Sequence, residues 1–189
     1  KGAEAALCMA RTVSLLRAHG RQHWQTMADP AQAVAAIVAS TNDALCEGND
    51  SAMFVTLFVA IADLNGGRLS FACAGHPAPY LCADGTVQAL GVAPGLPIGV
   101  MPGFSPAVST VDVAPGACLL AFSDGVTEAM NGAGELLGHP RLEAFLAACT
   151  DFSPPGVLAA VGAGIDGFVL EAEQADDIAM LAWAATRPV

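Results

Sequence analysis

Two short acidic stretches carry the side chains best suited to chemistry. Asp124 follows the apolar run Leu119–Phe122 in "LLAFSDGVTEAMN" (residues 119–131), and Asp176-Asp177 precede "IAMLAW" (residues 178–183). Each puts a carboxylate at the tip of a segment that reads as a buried strand, where a charge is costly unless something binds it. If the two strands neighbour each other antiparallel, the end of one lies beside the start of the other. Two or three carboxylates then share one sheet edge. Like charges that close repel, and one takes up a proton unless a cation neutralises them. Oxygen-only ligands suit hard ions such as magnesium or manganese. Gly125 would let the backbone approach such a site closely. The spacing alone favours a plain Ser-Asp-Gly turn and a helix-to-strand loop over such a site.

The elements that must position these residues follow from hydrophobic periodicity. Ala6, Met9, Val13 and Leu16 fall on one face of a helix over residues 3–18, which Gly20 is expected to stop. Asp29-Pro30 reads as a cap and first helical position for a second helix carrying Val34, Ile37, Val38, Thr41 and Leu45. Residues 53–62 are apolar apart from Thr56, the pattern of a strand covered on both faces. Asn65-Gly66-Gly67 signals a hairpin turn into Leu69, Phe71 and Cys73, which alternate with small or polar neighbours. Gly75-His76-Pro77 turns the chain into a strand over 78–82, and Asp84-Gly85 turns it again before Val87 and Leu90. The Gly/Pro-rich stretch 91–106 reads as a loop or flap. Residues 108–113 and 117–122 are expected to pair as neighbouring strands about Pro115-Gly116. A short helix over 142–149, a longer one over about 155–171 and a closing strand over 178–184 complete an α+β pattern in a single domain spanning 1–189.

Composition bounds the function. A net charge of −11 with one lysine, Lys1, argues against nucleic acid, whose phosphates need a basic surface. The apolar stretch 53–62, broken by Thr56 alone, is too short to cross a bilayer, so no membrane contact is expected of this segment. No signal peptide is visible, and six scattered cysteines without a Cys-x-x-Cys pair read as reduced core residues of a cytoplasmic protein. His19, His23 and His139 show no ligand spacing. Trp24 and Trp183 read as packing residues, and Arg141 as a surface arginine. The helical pair 3–46 is either an outer layer or a regulatory or dimerising element.

The strings "NDALCEGNDSAMFVTLFVAIADLNGGRLSFACAGHPAPYL", "LPIGV", "LLAFSDGVTEAMNGAGELLG" and "DDIAMLAW" occur in this order and spacing. Together they resemble the SpoIIE-like (RsbU-like) serine phosphatases of the metal-dependent type 2C protein phosphatase superfamily, over nearly the whole chain. The resemblance implies a four-layer α-β-β-α sandwich of two antiparallel sheets flanked by helices. It implies hydrolysis of phosphoserine or phosphothreonine on a protein by a water activated at a binuclear manganese or magnesium centre. Carried over by position, Asp124 and Asp176 match metal ligands and are the expected catalytic carboxylates. Asp177 joins the metal set as a supporting residue, and Ser123 and Gly125 shape the turn. Glu128 caps or braces the segment after it. His76 is a supporting residue, either a general acid near the phosphate or part of a structural turn.

The chain departs from the family pattern at its start. The upstream Gly-Asp strand and the Asp-Val-x-Gly-x-Gly segment, which supply the bridging Asp and a backbone carbonyl, are missing, and Gly2 alone is assigned to that second segment. The sequence therefore reads as an N-terminally truncated domain lacking its first strands, weak or inactive as it stands, from a bacterial signalling phosphatase with upstream sensor or regulatory domains. The implied substrate is a phosphorylated regulator of the anti-sigma antagonist type. The alternatives are a pseudophosphatase that docks a partner without turnover and a hydrolase of small phosphate esters.

Overall fold

A computed structural model describes residues 2–63, 67–83, 85–91, 95–172 and 176–185. In chain order its elements are α1 (Ala3–Thr26), α2 (Pro30–Cys46), β1 (Leu57–Asp63), β2 (Arg68–Ala74), β3 (Tyr80–Ala83), β4 (Thr86–Ala89), β5 (Ser109–Asp112), β6 (Cys118–Phe122), α3 (Asp124–Thr127), α4 (Gly138–Ala147), α5 (Pro154–Val169) and β7 (Met180–Ala184). This is the expected α+β class, with two antiparallel sheets ordered β1-β2-β5 and β4-β3-β6-β7. The chain divides into two compact units, each holding one sheet and its helices. Among the described residues no helix is long and apolar enough to cross a membrane.

The first unit is a helical pair on a three-stranded sheet. Asp29 caps α2 by accepting from the Ala31 N–H at 3.0 Å, with Pro30 in the first turn. Val34, Val38 and Leu45 of α2 bury themselves with Ala72 and Ala74 of β2 and with Ile98. Helix α1 does not stop at Gly20 but runs to Thr26. Glycine costs a helix interior about 1 kcal/mol, and contacts across to α2 offset it. His19 Nδ1 meets Thr41 Oγ1 at 3.1 Å, and His23 Nε2 meets Ser40 Oγ at 3.0 Å. Trp24, expected to pack, is 54% exposed.

Coverage on both faces belongs to β2, not to the segment 53–62. After Arg68 every residue of β2 is buried, because β2 lies between β1 and β5. β1 pairs with β2 alone among the described strands and is only half-buried. The β1–β2 hairpin closes at Asp63↔Arg68; of its expected turn, Asn65 and Gly66 lie outside the described residues. The Gly/Pro-rich stretch is anchored rather than a free flap over its described part. Ile98 is fully buried and exchanges backbone hydrogen bonds with Val55 at 3.0 Å.

The second unit is built around β6, whose five residues are all buried between β3 and β7. Leu120 and Phe122 share a core with Tyr80, Leu142, Leu146, Val157 and Val161. Ser123-Asp124-Gly125 does not merely turn, as the sequence suggested: Ser123 is the N-cap of the one-turn helix α3, which Asp124 opens. The expected pairing of 108–113 with 117–122 does not form. β5 pairs with β2 in one sheet, while β6 pairs with β3 and β7 in the other. A strand as apolar as β6 needs a partner on each side, and the turn through Gly116 (φ 90°) delivers it to a different sheet. The turn expected at Asp84-Gly85 joins β3 and β4; Asp84 lies outside the described residues.

All six cysteines are free thiols; Cys73, Cys82, Cys118 and Cys149 are buried, whereas Cys8 and Cys46 are partly open. Burial disfavours the thiolate and pushes Cys73, Cys82 and Cys118 each up to about 11. Iodoacetamide at mildly alkaline pH is therefore expected to label Cys8 well before these three in the native protein. Denaturant should abolish the difference, as followed by mass spectrometry of the digested chain.

Candidate metal centre

The geometry that the acidic tips require is present in the backbone. β6 and β7 run antiparallel with Phe122 opposite Met180, so the end of one strand adjoins the start of the other. Beyond that last pair the chains stay in contact. The Ser123 N–H donates to the Ala179 carbonyl at 2.9 Å. Ser123 Oγ accepts from the Ala179 N–H at 3.0 Å and donates to the Asp177 carbonyl at 3.2 Å. A β-carbon built on Gly125 would stand 2.4 Å from the Asp177 carbonyl oxygen and 3.5 Å from that of Asp176. Asp124 and the Asp176-Asp177 pair are thus held at the same sheet edge.

Local hydrogen bonds set the carboxylates. Asp124 opens α3, where its Oδ1 accepts from the Gly125 N–H at 3.0 Å. Its carbonyl accepts from the Glu128 N–H at 2.8 Å and from Thr127 Oγ1 at 3.1 Å, closing the turn. Glu128 sits at the C-cap of α3, closing the segment before it through its backbone N–H rather than bracing the segment after it. Asp176 Oδ1 accepts from the Asp177 N–H at 3.0 Å. All three aspartates are exposed, so water solvates their charge and an incoming ion meets no barrier of packed side chains.

The donor set suits a hard divalent cation in kind, being oxygen only. In number it is small: among the described residues no group of three or more His, Cys, Asp or Glu stands where it could hold a metal. Gly2 and His76 belong to the other compact unit. Gly2 is the N-cap of α1 at φ 117°, a left-handed backbone, and its carbonyl accepts from the Ala6 N–H at 3.1 Å. His76 follows Gly75, whose φ of 66° and close approach to the Pro97 ring, 2.6 Å from a built β-carbon, define a tight turn. Arg141 is engaged structurally, donating to the Leu136 carbonyl at 2.9 Å and lying 4.8 Å over the Phe168 ring. Ser123 does more than shape its turn, because it ties β6 to the 177–179 segment. No pattern within the sequence predicts that cross-strand contact; only the pairing of β6 with β7 reveals it.

Removing the hydroxyl in Ser123→Ala leaves the Ala179 N–H and Asp177 carbonyl without it, and is expected to cost about 1–2 kcal/mol in urea unfolding. For Gly125→Ala two effects oppose. Alanine is the better helix former by roughly 1 kcal/mol, but the contact with the Asp177 carbonyl forces backbone against β-carbon. Net destabilisation of about 1–3 kcal/mol is expected; a stabilised variant would show that the approach is loose.

Comparison with known proteins shows the family and the fold. The model of the family described as Stage II sporulation protein E (SpoIIE) matches residues 1–185. Protein IcfG of Synechocystis is 32% identical over 147 residues, which is 77% of this chain and 23% of that protein, so the chain spans about a quarter of this relative's length. The SiaA-PP2C domain of Pseudomonas aeruginosa superposes with a TM-score of 0.72 at 24% identity, over 92% of this chain and 67% of the domain. The manganese-presoaked phosphatase domain of SpoIIE from Bacillus subtilis gives 0.63 at 15% identity, over 94% and 74%. These likenesses establish the fold, and with the family match over almost its full length, the chain belongs to the SpoIIE family.

Proposed function

We propose that this chain is a protein serine/threonine phosphatase domain of a bacterial signalling protein, in which Asp124 and Asp176 hold divalent manganese or magnesium and Asp177 supports them. The carrying observation is the clamp at the tips of β6 and β7, where Ser123 and Gly125 press Asp124 against the Asp176-Asp177 backbone. Family membership and the manganese-soaked relative support the metal. A bound pair of ions would supply a hydroxide nucleophile at neutral pH and neutralise the phosphoryl oxygens. The chain's own part is to fix the two carboxylates on stiff elements. β6 is buried throughout its length, and α3 is closed by Glu128 and Thr127, so Asp124 has little freedom to retreat. The substrate is a phosphorylated regulatory protein, with an anti-sigma antagonist type fitting the family best, and the setting is cytoplasmic. Upstream regulatory domains and homodimerisation through the α1–α2 pair belong to the same reading.

The small donor set favours weak metal binding and slow turnover by this chain. It also supports a second reading, a pseudophosphatase that binds a phosphoprotein without hydrolysing it. Calorimetric titration with manganese, together with phosphate release from a phosphoserine peptide, separates these readings. The phosphatase reading expects weak manganese binding and slow release, both lost in Asp124→Asn and Asp176→Asn. Manganese binding that both variants retain would remove these aspartates from the site. Phosphopeptide binding with no release at saturating manganese would favour the binding module. Full turnover would refute the weak-site reading.

A further inference from the structure

A second feature lies in the first unit, where the C-terminus of α2 borders a cavity of about 790 Å³. Asp43, Cys46 and Glu47 line it from the helix, and Phe54, Val100 and Pro102 line it from two loops. The loops are fixed by asparagines. Asn42, fully buried, accepts from the Gly99 N–H at 3.0 Å and donates to the Met101 carbonyl at 2.9 Å. Asn49 donates to the carbonyls of Met53 at 2.7 Å and Gly99 at 3.0 Å, and accepts from the Met53 N–H at 2.9 Å. Asp43 Oδ1 accepts from the Gly103 N–H at 2.8 Å. The cavity is therefore pre-formed, which lowers the ordering cost of filling it.

Its chemistry is two-sided. Phe54 is 59% exposed and Val100 is 52% exposed, large apolar groups left in water beside a concave surface. Asp43 and Glu47, one helical turn apart, face the same cavity, and neither enters an ion pair among the described residues. Arg11 does not neutralise them: its guanidinium donates to the carbonyls of Ala44 and Glu47, satisfying the helix end rather than the carboxylates. The chain around them carries a net charge of −11, which attracts cations and repels acidic partners.

We propose that this cavity docks an extended segment of a partner protein in which arginine or lysine alternates with a bulky aliphatic side chain. Successive side chains of an extended segment point to opposite sides. Cations can then meet the acidic helix wall while aliphatic groups cover Phe54 and Val100. The site needs neither metal nor phosphate, so it stands or fails apart from the phosphatase reading.

The test is fluorescence anisotropy without metal, using a labelled octapeptide of alternating arginine and leucine. An arginine–serine octapeptide and a glutamate–leucine octapeptide serve as comparisons. The arginine–leucine peptide is expected to bind about tenfold tighter than the arginine–serine one, and the acidic peptide not at all. Glu47→Lys and Val100→Asp should each weaken binding about tenfold, with melting curves unchanged because both side chains are exposed. Glu171→Lys, an equal charge change in the other unit, should leave binding nearly intact. Equal losses in Glu47→Lys and Glu171→Lys would reduce the effect to bulk charge and overturn the proposal. Unchanged binding by Val100→Asp would do the same.

Discussion

The structure depends on one antiparallel pairing, that of β6 with β7. Without it Asp124 and Asp176 are two unrelated loop residues, fifty-two positions apart in the chain. With it, Phe122 faces Met180, and the next residue, Ser123, bonds to Ala179 and to the Asp177 carbonyl. Assembling like charges at one edge costs energy, and the buried strand supplies the means to hold them there. Burying Leu120 and Phe122 stabilises by roughly 1.5–3 kcal/mol each, more than the repulsion between exposed carboxylates screened by water and salt. Hydrophobic burial thus fixes the geometry, and the charge follows.

Much of the site was legible because its parts are local. An apolar run ending in Ser-Asp-Gly and a second beginning after Asp-Asp are strand-tip patterns that need no tertiary information. What could not be read was the join. Ser123 looks like any turn serine, and its bonds to residues 177 and 179 exist only once β7 lies beside β6. The sequence marks Gly125 for close approach, but its neighbour, the Asp177 carbonyl, again depends on that pairing.

The fold was legible in its elements and less so in its connections. Propensity and period place α2, β3 and α5 near their observed ranges, and Asp29 caps α2 where its cap is expected. Adjacency in the sequence does not carry over to adjacency in space. β5 and β6 are consecutive and separated by a Pro-Gly turn, the signature of a hairpin, yet they enter different sheets. Likewise the long apolar segment 53–62 holds most of the half-buried outer strand β1, and the less uniform β2 is the covered one. Continuity of apolar residues reports what a strand can tolerate, whereas its place in the strand order decides what it meets.

The helical pair shows the same principle acting on local preference. Gly20 is a legitimate stop signal, and an isolated helix carrying it would fray there. In the folded unit, His19 and His23 stand on either side of it, each hydrogen-bonded to a hydroxyl of α2. Burial, and then the neighbouring His23, lower the pKa of His19, which favours its neutral imidazole. Two such bonds, about 1 kcal/mol each, are enough to outweigh one glycine. The extra turn and a half that they stabilise carries Trp24 out to the surface instead of into the core. A weak tertiary contact repeated one helical turn later is sufficient to rewrite a boundary that propensity alone would set.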